Sequence, residues 1–142
     1  MIIEIMSREK ARNFSSKPHN EKIAVISISD CDKESPELMH LKGNGIIAHF
    51  KIHFDDVEKN EQNYIVITDD GAKRIVKFIN SIKNETDRLI VHCEAGISRS
   101  AGVAAATMKF LQGDDAPIFD NPKYCPNMTC YRKVLNAFYE QQ

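Results

Sequence analysis

Residues 91–102 read VHCEAGISRSAG, and the segments on either side of this run indicate the fold. The preceding segment, RLIVH at 88–92, has an apolar, β-branched centre that predicts a short buried strand. The segment that follows Arg99, SAGVAAATMKFL, is rich in alanine and apolar on nearly every side, which predicts a helix packed in the interior. The run is therefore expected to form a loop that joins a buried strand to the N-terminus of a helix.

The rest of the chain repeats this alternation of strands and helices. Apolar, β-branched runs predict strands at 23–30 and 45–54, and helical spacing of apolar residues predicts amphipathic helices at 69–83 and near 128–140. Alternating strands and helices are typical of an α/β domain, here a single domain over 1–142 with a central, mainly parallel sheet flanked by helices. Ligands of such sheets bind at the carboxyl ends of the strands, where the run 91–102 begins.

Composition limits the partners of this domain. The chain has 142 residues, of which 42% are hydrophobic and 27% charged, as expected of one globular domain with a single core. Its formal net charge is -1 and the charges are interspersed, so we expect no nucleic-acid partner and no membrane partner, and any bound anion must be held locally. The N-terminus resembles no secretory signal and no apolar run approaches the roughly 18 residues of a membrane span, which predicts a cytoplasmic protein.

Four cysteines raise the questions of metal and redox chemistry. In a reducing compartment we expect all of them to be thiols. The spacing of Cys125 and Cys130 differs from the CxxC of zinc and redox sites, so we predict no metal and no cofactor. Cys31 follows a predicted strand and is a candidate disulfide partner for an oxidised Cys93.

The loop of residues 91–102 has the composition of an anion site built around a thiol. A loop that curls into a helix N-terminus directs successive backbone N–H groups inward, and the helix dipole adds to their attraction for an anion. A cysteine in that position, here Cys93, is expected to be a thiolate and therefore a nucleophile. Arg99 offers a planar fork of donors for two phosphate oxygens. The candidate anion-binding residues are Glu94, Ala95, Gly96, Ile97, Ser98 and Arg99.

Three further residues of this loop have expected supporting roles. Gly96 allows the backbone to curl and to approach the anion closely. The Ser100 hydroxyl can donate a hydrogen bond to the sulfur of Cys93 and improve it as a leaving group. His92 is expected to organise the loop through ring hydrogen bonds.

HCEAGISRS resembles the signature loop of the cysteine-dependent protein tyrosine phosphatases, in the form HCxAGxSRS of their dual-specificity branch. FDDVE at 54–58 is similar to the loop that carries the general-acid aspartate, and CPNMTCYRKVLNAFYE at 125–140 is similar to the terminal helix of that branch. The resemblance implies a protein tyrosine phosphatase-like fold and hydrolysis of phosphotyrosine, with phosphoserine and phosphothreonine as further substrates, through a cysteinyl-phosphate intermediate without a metal. Phosphate and vanadate-like anions would bind in the loop.

The general acid is one of two neighbouring aspartates. Side chains alternate along IHFDD, so only one of Asp55 and Asp56 is expected to face the site. The resemblance favours Asp56 and leaves Asp55 as the alternative acid. Asn127 either braces the phosphate loop, as the resemblance implies, or caps the last helix.

Several other functions remain open from the sequence. A pseudophosphatase would bind phosphate in the same loop without turnover, and a sulfur- or arsenate-transfer enzyme would also use a cysteine in an anion loop. A phosphoinositide or an RNA 5′ end could replace the phosphorylated protein as the substrate. The loop lacks the lysine-rich centre of the lipid-phosphatase relatives, which disfavours phosphoinositides.

Overall fold

The computed structural model of the chain describes residues 1–36 and 45–142. In chain order, the strands and helices are β1 (Ile2–Met6), α1 (Arg8–Ser15), β2 (Ile23–Ser29), β3 (Ile46–His53), α2 (Asp69–Ile82), β4 (Arg88–His92), α3 (Arg99–Gln112), α4 (Ala116–Phe119) and α5 (Met128–Glu140). Within these described ranges the strands form a four-stranded sheet in the order β1-β4-β2-β3, and each neighbouring pair is parallel. The predicted α/β architecture with a central parallel sheet is confirmed.

The two middle strands are the most deeply buried elements of the sheet. β2 is buried along its whole length, and β4 is buried at every position after Arg88. A strand inside a parallel sheet is covered on both faces, which explains why both sequences are apolar without a polar alternation. The predicted strands at 23–30, 45–54 and 88–92 agree with β2, β3 and β4 to within one residue at each end.

The helices cover both faces of the sheet. Alternate residues of β2, among them Ala24, Ile26 and Ile28, pack with α2, α3 and α5 in the larger apolar cluster. The intervening Ile23 and Val25 pack against α1 in a smaller cluster. The three predicted helices are present as α2, α3 and α5. In the described part of the chain, no helix is both long and apolar enough to cross a bilayer.

The N-terminal segment was not predicted to contain regular structure, yet it forms β1 and α1. β1 pairs with β4 in a register that places Met6 beside His92, next to the loop that follows β4. Ser7 caps α1 by accepting a hydrogen bond from the backbone N–H of Lys10, and the N–H of Arg8 donates to the carbonyl oxygen of Glu94. The N-terminal segment therefore forms one wall of the loop of residues 93–98.

Gly96 shows how closely this wall approaches the loop. Its φ angle is +72°, and an added Cβ would lie 2.7 Å from the carbonyl carbon of Met6 and 2.8 Å from the nitrogen of Ser7. Both contacts are with backbone atoms, which cannot rotate away. Position 96 therefore requires glycine for two reasons: the left-handed backbone conformation and the lack of space for a Cβ.

We predict that Gly96→Ala destabilises the protein much more than Gly113→Ala. Gly113 is the matched control, because its φ angle is +79° but an added Cβ would have no neighbour within 4 Å. Gly113→Ala should therefore cost only the left-handed conformation, about 1–2 kcal/mol, whereas Gly96→Ala adds a backbone clash. Urea denaturation measures both free energies of unfolding. Equal losses would show that the wall formed by Met6 and Ser7 does not constrain the loop.

Candidate active site

The loop of residues 93–98 leaves the carboxyl end of β4 and runs into the N-terminus of α3. Its outward carbonyl groups are bonded to neighbouring segments: Glu94 accepts from Arg8, Ile97 from Cys125 and Ser98 from Asn127, each through a backbone N–H. In a trans peptide the N–H points opposite to the C=O, so the amides that follow these carbonyls face away from those partners. Hydrogen bonds from neighbouring segments therefore fix the shape of the loop, and backbone N–H groups of the loop remain available to an anion.

Ser98 occupies the N-cap of α3 but makes no side-chain cap. Its hydroxyl donates instead to Asp56 Oδ1, at 2.8 Å. The first N–H groups of an α-helix have no partner within the helix, and here the N-cap side chain does not take one. The positive end of the helix dipole is therefore available to a bound anion.

Cys93 lies at the base of this loop. The residue is 3% exposed, and its Sγ lies 3.1 Å from the hydroxyl oxygen of Ser100. Ser100 is fully buried at the first turn of α3. The hydroxyl of Ser100 therefore lies within hydrogen-bond distance of the sulfur of Cys93.

The Arg99 side chain is buried and only partly paired. Its Nη1 donates to the carbonyl oxygen of Phe54 at 2.7 Å and forms an ion pair with Asp30 Oδ1 at 2.8 Å. Its Nε is buried and makes no hydrogen bond to any described residue. A buried unsatisfied donor costs about 1–3 kcal/mol, so a guanidinium in this state is suited to an anionic ligand. Asp30 was not among the predicted site residues, although its position directly after β2, at the carboxyl end of a central strand, could have suggested it.

Asp56 is joined to the loop through one oxygen. Oδ1 accepts hydrogen bonds from Ser98 Oγ at 2.8 Å and from Asn127 Nδ2 at 3.0 Å. No described residue bonds to Oδ2, and the residue is exposed. Asp56 therefore has one oxygen that fixes its position and one that can serve a reacting group.

Asp55 has the opposite environment. It is buried, its Oδ1 accepts from the N–H of Cys31 at 3.2 Å, and its Oδ2 accepts from the N–H of Ile65 at 2.7 Å. The hydrogen bond from Ile65 is the main reason why the pKa of Asp55 is lowered, and Cys31 and the charge of Arg99 add to it. Asp55 is therefore an ionised structural group that ties three segments together, and it is poorly suited to donate a proton.

Comparisons with known proteins identify the family of this chain. Residues 8–111 match the family model described as dual specificity phosphatase, catalytic domain. The chain belongs to the dual specificity phosphatase family. The matched region begins after β1, includes α1 and the loop of residues 93–98, and ends before α4 and α5.

Two curated members of the dual specificity phosphatase family illustrate the extent of the likeness. Dual specificity protein phosphatase 2 of Mus musculus is 32% identical over 98 residues, which cover 61% of this chain and 30% of that protein. Dual specificity protein phosphatase 1 of Homo sapiens is 29% identical over 105 residues, which cover 74% of this chain and 26% of that protein. The chain thus spans less than a third of the length of these relatives.

Solved structures support the dual specificity phosphatase fold. The human tyrosine phosphatase-like serine/threonine/tyrosine-interacting protein has a TM-score of 0.66 at 16% identity, over 98% of this chain and 91% of its own. Human DUSP28 has a TM-score of 0.63 at 14% identity, over 99% of this chain and 93% of its own. At these identities the likeness concerns the fold alone.

Asn127 connects the site of this family member to its last helix. Its Oδ1 caps α5 by accepting from the N–H of Cys130, and its Nδ2 donates to Asp56 Oδ1 and to the carbonyl oxygen of Val57, both at 3.0 Å. The backbone N–H of Asn127 donates to Ser98. Asn127 therefore caps α5 and also contacts Asp56 and Ser98.

His92 is held by a buried chain of hydrogen bonds beneath the loop. Its Nδ1 lies 3.3 Å from the carbonyl oxygen of Cys93, which can only accept, so Nδ1 must carry a proton. Burial lowers the pKa of His92, so the ring is neutral and Nε2 is an acceptor. The hydroxyl of Ser27 must then donate to His92 Nε2 and accept from His49 Nε2, which lies 2.7 Å away. The position of the His92 ring therefore depends on Ser27 and His49, which no local motif indicated.

Two of the remaining cysteines, Cys31 and Cys130, have environments that disfavour the thiolate. Burial raises the pKa of Cys130 strongly, and burial and the Asp55 carboxylate raise the pKa of Cys31. All four cysteines are free. In residues 1–36 and 45–142, no group of His, Cys, Asp and Glu side chains has the arrangement of a metal site.

We predict that Ser27→Ala destabilises the protein by about 1–3 kcal/mol, because it leaves the buried acceptor Nε2 of His92 unpaired. Ser29→Ala is the matched control on the same strand, since Ser29 is also buried but its hydroxyl has no hydrogen-bond partner among the described residues. That change should be neutral or stabilising. Free energies of unfolding in urea measure both effects, and a loss for Ser29→Ala as large as that for Ser27→Ala would refute the hydrogen-bond chain.

Proposed function

We propose that the protein hydrolyses phosphate monoesters of tyrosine, and also of serine and threonine, in phosphorylated proteins through a cysteinyl-phosphate intermediate. One observation carries the proposal. Cys93, the partly paired guanidinium of Arg99 and the carboxylate of Asp56 meet at a single loop whose shape is fixed from outside. The membership of the dual specificity phosphatase family supports the same activity.

In the first step, the Cys93 thiolate attacks phosphorus. The S–P bond forms while the bond from phosphorus to the leaving oxygen breaks, and Asp56 in its acid form donates a proton to that oxygen. The nonbridging oxygens are bound by Arg99 and by the amides of residues 94–99, which offset their charge in the transition state. The protein contributes a positioned acid and a preformed anion site to this step.

In the second step, a water molecule attacks the phosphorus of the thiophosphate. The carboxylate of Asp56 removes a proton from this water, so the acid of the first step is the base of the second. The S–P bond breaks and its electron pair returns to the sulfur. Because the hydroxyl of Ser100 lies 3.1 Å from Sγ, it can donate to the departing thiolate and stabilise it. Inorganic phosphate leaves, and the enzyme returns to its initial state.

The alternatives have less support. A phosphate-binding module without turnover has no use for the nucleophile or for an acid, and both Cys93 and Asp56 are present in suitable positions. The loop has Glu94, Ala95 and Ile97 where a site for phosphoinositides would benefit from lysines. Four free thiols favour a reducing compartment, and we therefore propose a cytoplasmic location.

Asp56 and Asp55 can be separated by their dependence on the leaving group. Asp56→Ala should lower kcat for a phosphotyrosine peptide by about 10² to 10⁴-fold, because that leaving group needs a proton. The same variant should retain much more of its activity on an activated aryl phosphate, whose leaving group is stable as an anion. Steady-state kinetics with both substrates, in the presence of a chelator and with vanadate as inhibitor, makes the measurement.

Asp55→Ala is the matched control for this test. Loss of the hydrogen bonds to Cys31 and Ile65 should lower stability and reduce activity on both substrates by similar factors. If Asp55→Ala loses activity selectively on the phosphopeptide, Asp55 is the acid and our assignment is wrong. Binding of vanadate without turnover of either substrate would favour the pseudophosphatase.

A further inference from the structure

A cavity of about 580 Å³ adjoins the proposed catalytic centre on the side of Asp56. It lies between the segment that follows β2 and the connection from β3 to α2, and its lining includes Asp30, Asp32, Asp56, Glu61 and Tyr64. Asp30 pairs with the guanidinium of Arg99, and Asp56 bonds to Ser98 of the catalytic loop. Two of the residues that line the cavity therefore contact Arg99 and the catalytic loop directly, which puts the cavity beside the proposed phosphate site.

Tyr64 is an exposed aromatic residue on a well-fixed backbone. The residue is 54% exposed, yet its N–H donates to Glu61 in an isolated antiparallel bridge, with Asn63 in the left-handed region at φ 69°. The following residue, Ile65, is bonded in both directions to Asp55, through its N–H to Oδ2 and through its carbonyl to the backbone N–H, each at 2.7 Å. An aromatic ring is thus held at the cavity wall without being used in the core.

The charges in the cavity are unequally compensated. Three of its carboxylates have partners. Asp30 forms ion pairs with Arg99 and Lys33. Asp55 accepts hydrogen bonds from two backbone N–H groups, and Asp56 accepts from two side chains. The side chains of Asp32 and Glu61 have no hydrogen bond or ion pair with any described residue. Among the described residues that line the cavity there is no Lys, Arg or His. Two uncompensated carboxylates and an aromatic ring therefore border the same space.

Taking the proposed phosphatase activity as given, we propose that this cavity binds a lysine or arginine side chain of the substrate, one residue away from the phosphorylated residue. An ammonium or guanidinium group would form ion pairs with Asp32 and Glu61 and would lie against the ring of Tyr64 in a cation–π contact. Consecutive Cα atoms are about 3.8 Å apart, so a long neighbouring side chain reaches from the loop into an adjoining cavity. The phosphorylated residue would bind in the catalytic loop, and its cationic neighbour would bind in the cavity.

The test uses phosphotyrosine peptides that differ only in the two residues flanking the phosphotyrosine: arginine, alanine or glutamate. We expect kcat/KM for the arginine peptide to exceed that for the alanine peptide by about tenfold, mainly through KM, with the glutamate peptide the poorest substrate. The ratio between the arginine and alanine peptides should fall to about one in Tyr64→Ala and in the double variant Asp32→Asn, Glu61→Gln. It should also fall as ionic strength rises.

Two control variants change the same residue types outside the cavity. Tyr139→Ala removes a tyrosine that is 52% exposed, and Glu9→Gln removes an exposed carboxylate of α1. Both should keep the preference for arginine. Equal kcat/KM values for the three peptides, or a preference that survives in Tyr64→Ala and in the double variant, would overturn the proposal.

An activated aryl phosphate separates this inference from the proposed function, because it has no flanking residues. If the aryl phosphate is hydrolysed but the peptides are not distinguished, the cavity proposal fails and the phosphatase remains. If no substrate is hydrolysed, the phosphatase proposal fails. The affinities of the three peptides for Cys93→Ser, measured by fluorescence anisotropy, then test the cavity proposal. Tighter binding of the arginine peptide would then support the cavity proposal, and equal affinities would refute it.

Discussion

The carboxylate of Asp56 joins three segments that are distant in the sequence. It follows β3, and its Oδ1 accepts hydrogen bonds from Ser98 at the start of α3 and from Asn127 at the start of α5. The same serine hydroxyl is thereby drawn away from capping α3, so the helix N-terminus remains available to an anion. One oxygen atom therefore positions the proposed acid, leaves the N-terminus of α3 without a side-chain cap and holds the last helix. Asp55 fixes the same segment from its other side.

Much of the fold could be predicted because its signals are local. β2, β4 and α3 are recognisable from their own apolar patterns, and the strand-loop-helix order around Cys93 is contained in one contiguous run. β1 and α1 were missed for the opposite reason. The charged Glu4 interrupts the apolar run of β1, and its partner β4 is the last strand of the described chain. Their stability comes from pairing and packing that only the folded chain provides.

The site residues likewise divide into those that a local sequence pattern indicates and those that only the folded chain brings together. Cys93, Arg99 and Ser100 lie within one short run, so their roles could be proposed from spacing. The contributions of Asp30, Ser27 and His49 arise only when β2 and β3 bring them beneath the loop, and no spacing in the sequence indicates such neighbours. The sequence could not decide between Asp55 and Asp56 either. Two adjacent aspartates differ only in the neighbours that the folded chain brings to them. The hydrogen bonds of Asp55 favour Asp56 as the acid.

The central claim is that Cys93 forms a covalent bond to phosphorus, and the most direct test is to trap that bond. Mixing Asp56→Ala with an activated aryl phosphate should allow the first step and slow the second, because the base for the attacking water is missing. Acid quenching within the first turnovers, followed by peptide mass spectrometry, should then find a phosphoryl group on the peptide that contains Cys93. Continued turnover with no phosphoryl group on Cys93, or with one on another residue, would contradict the account.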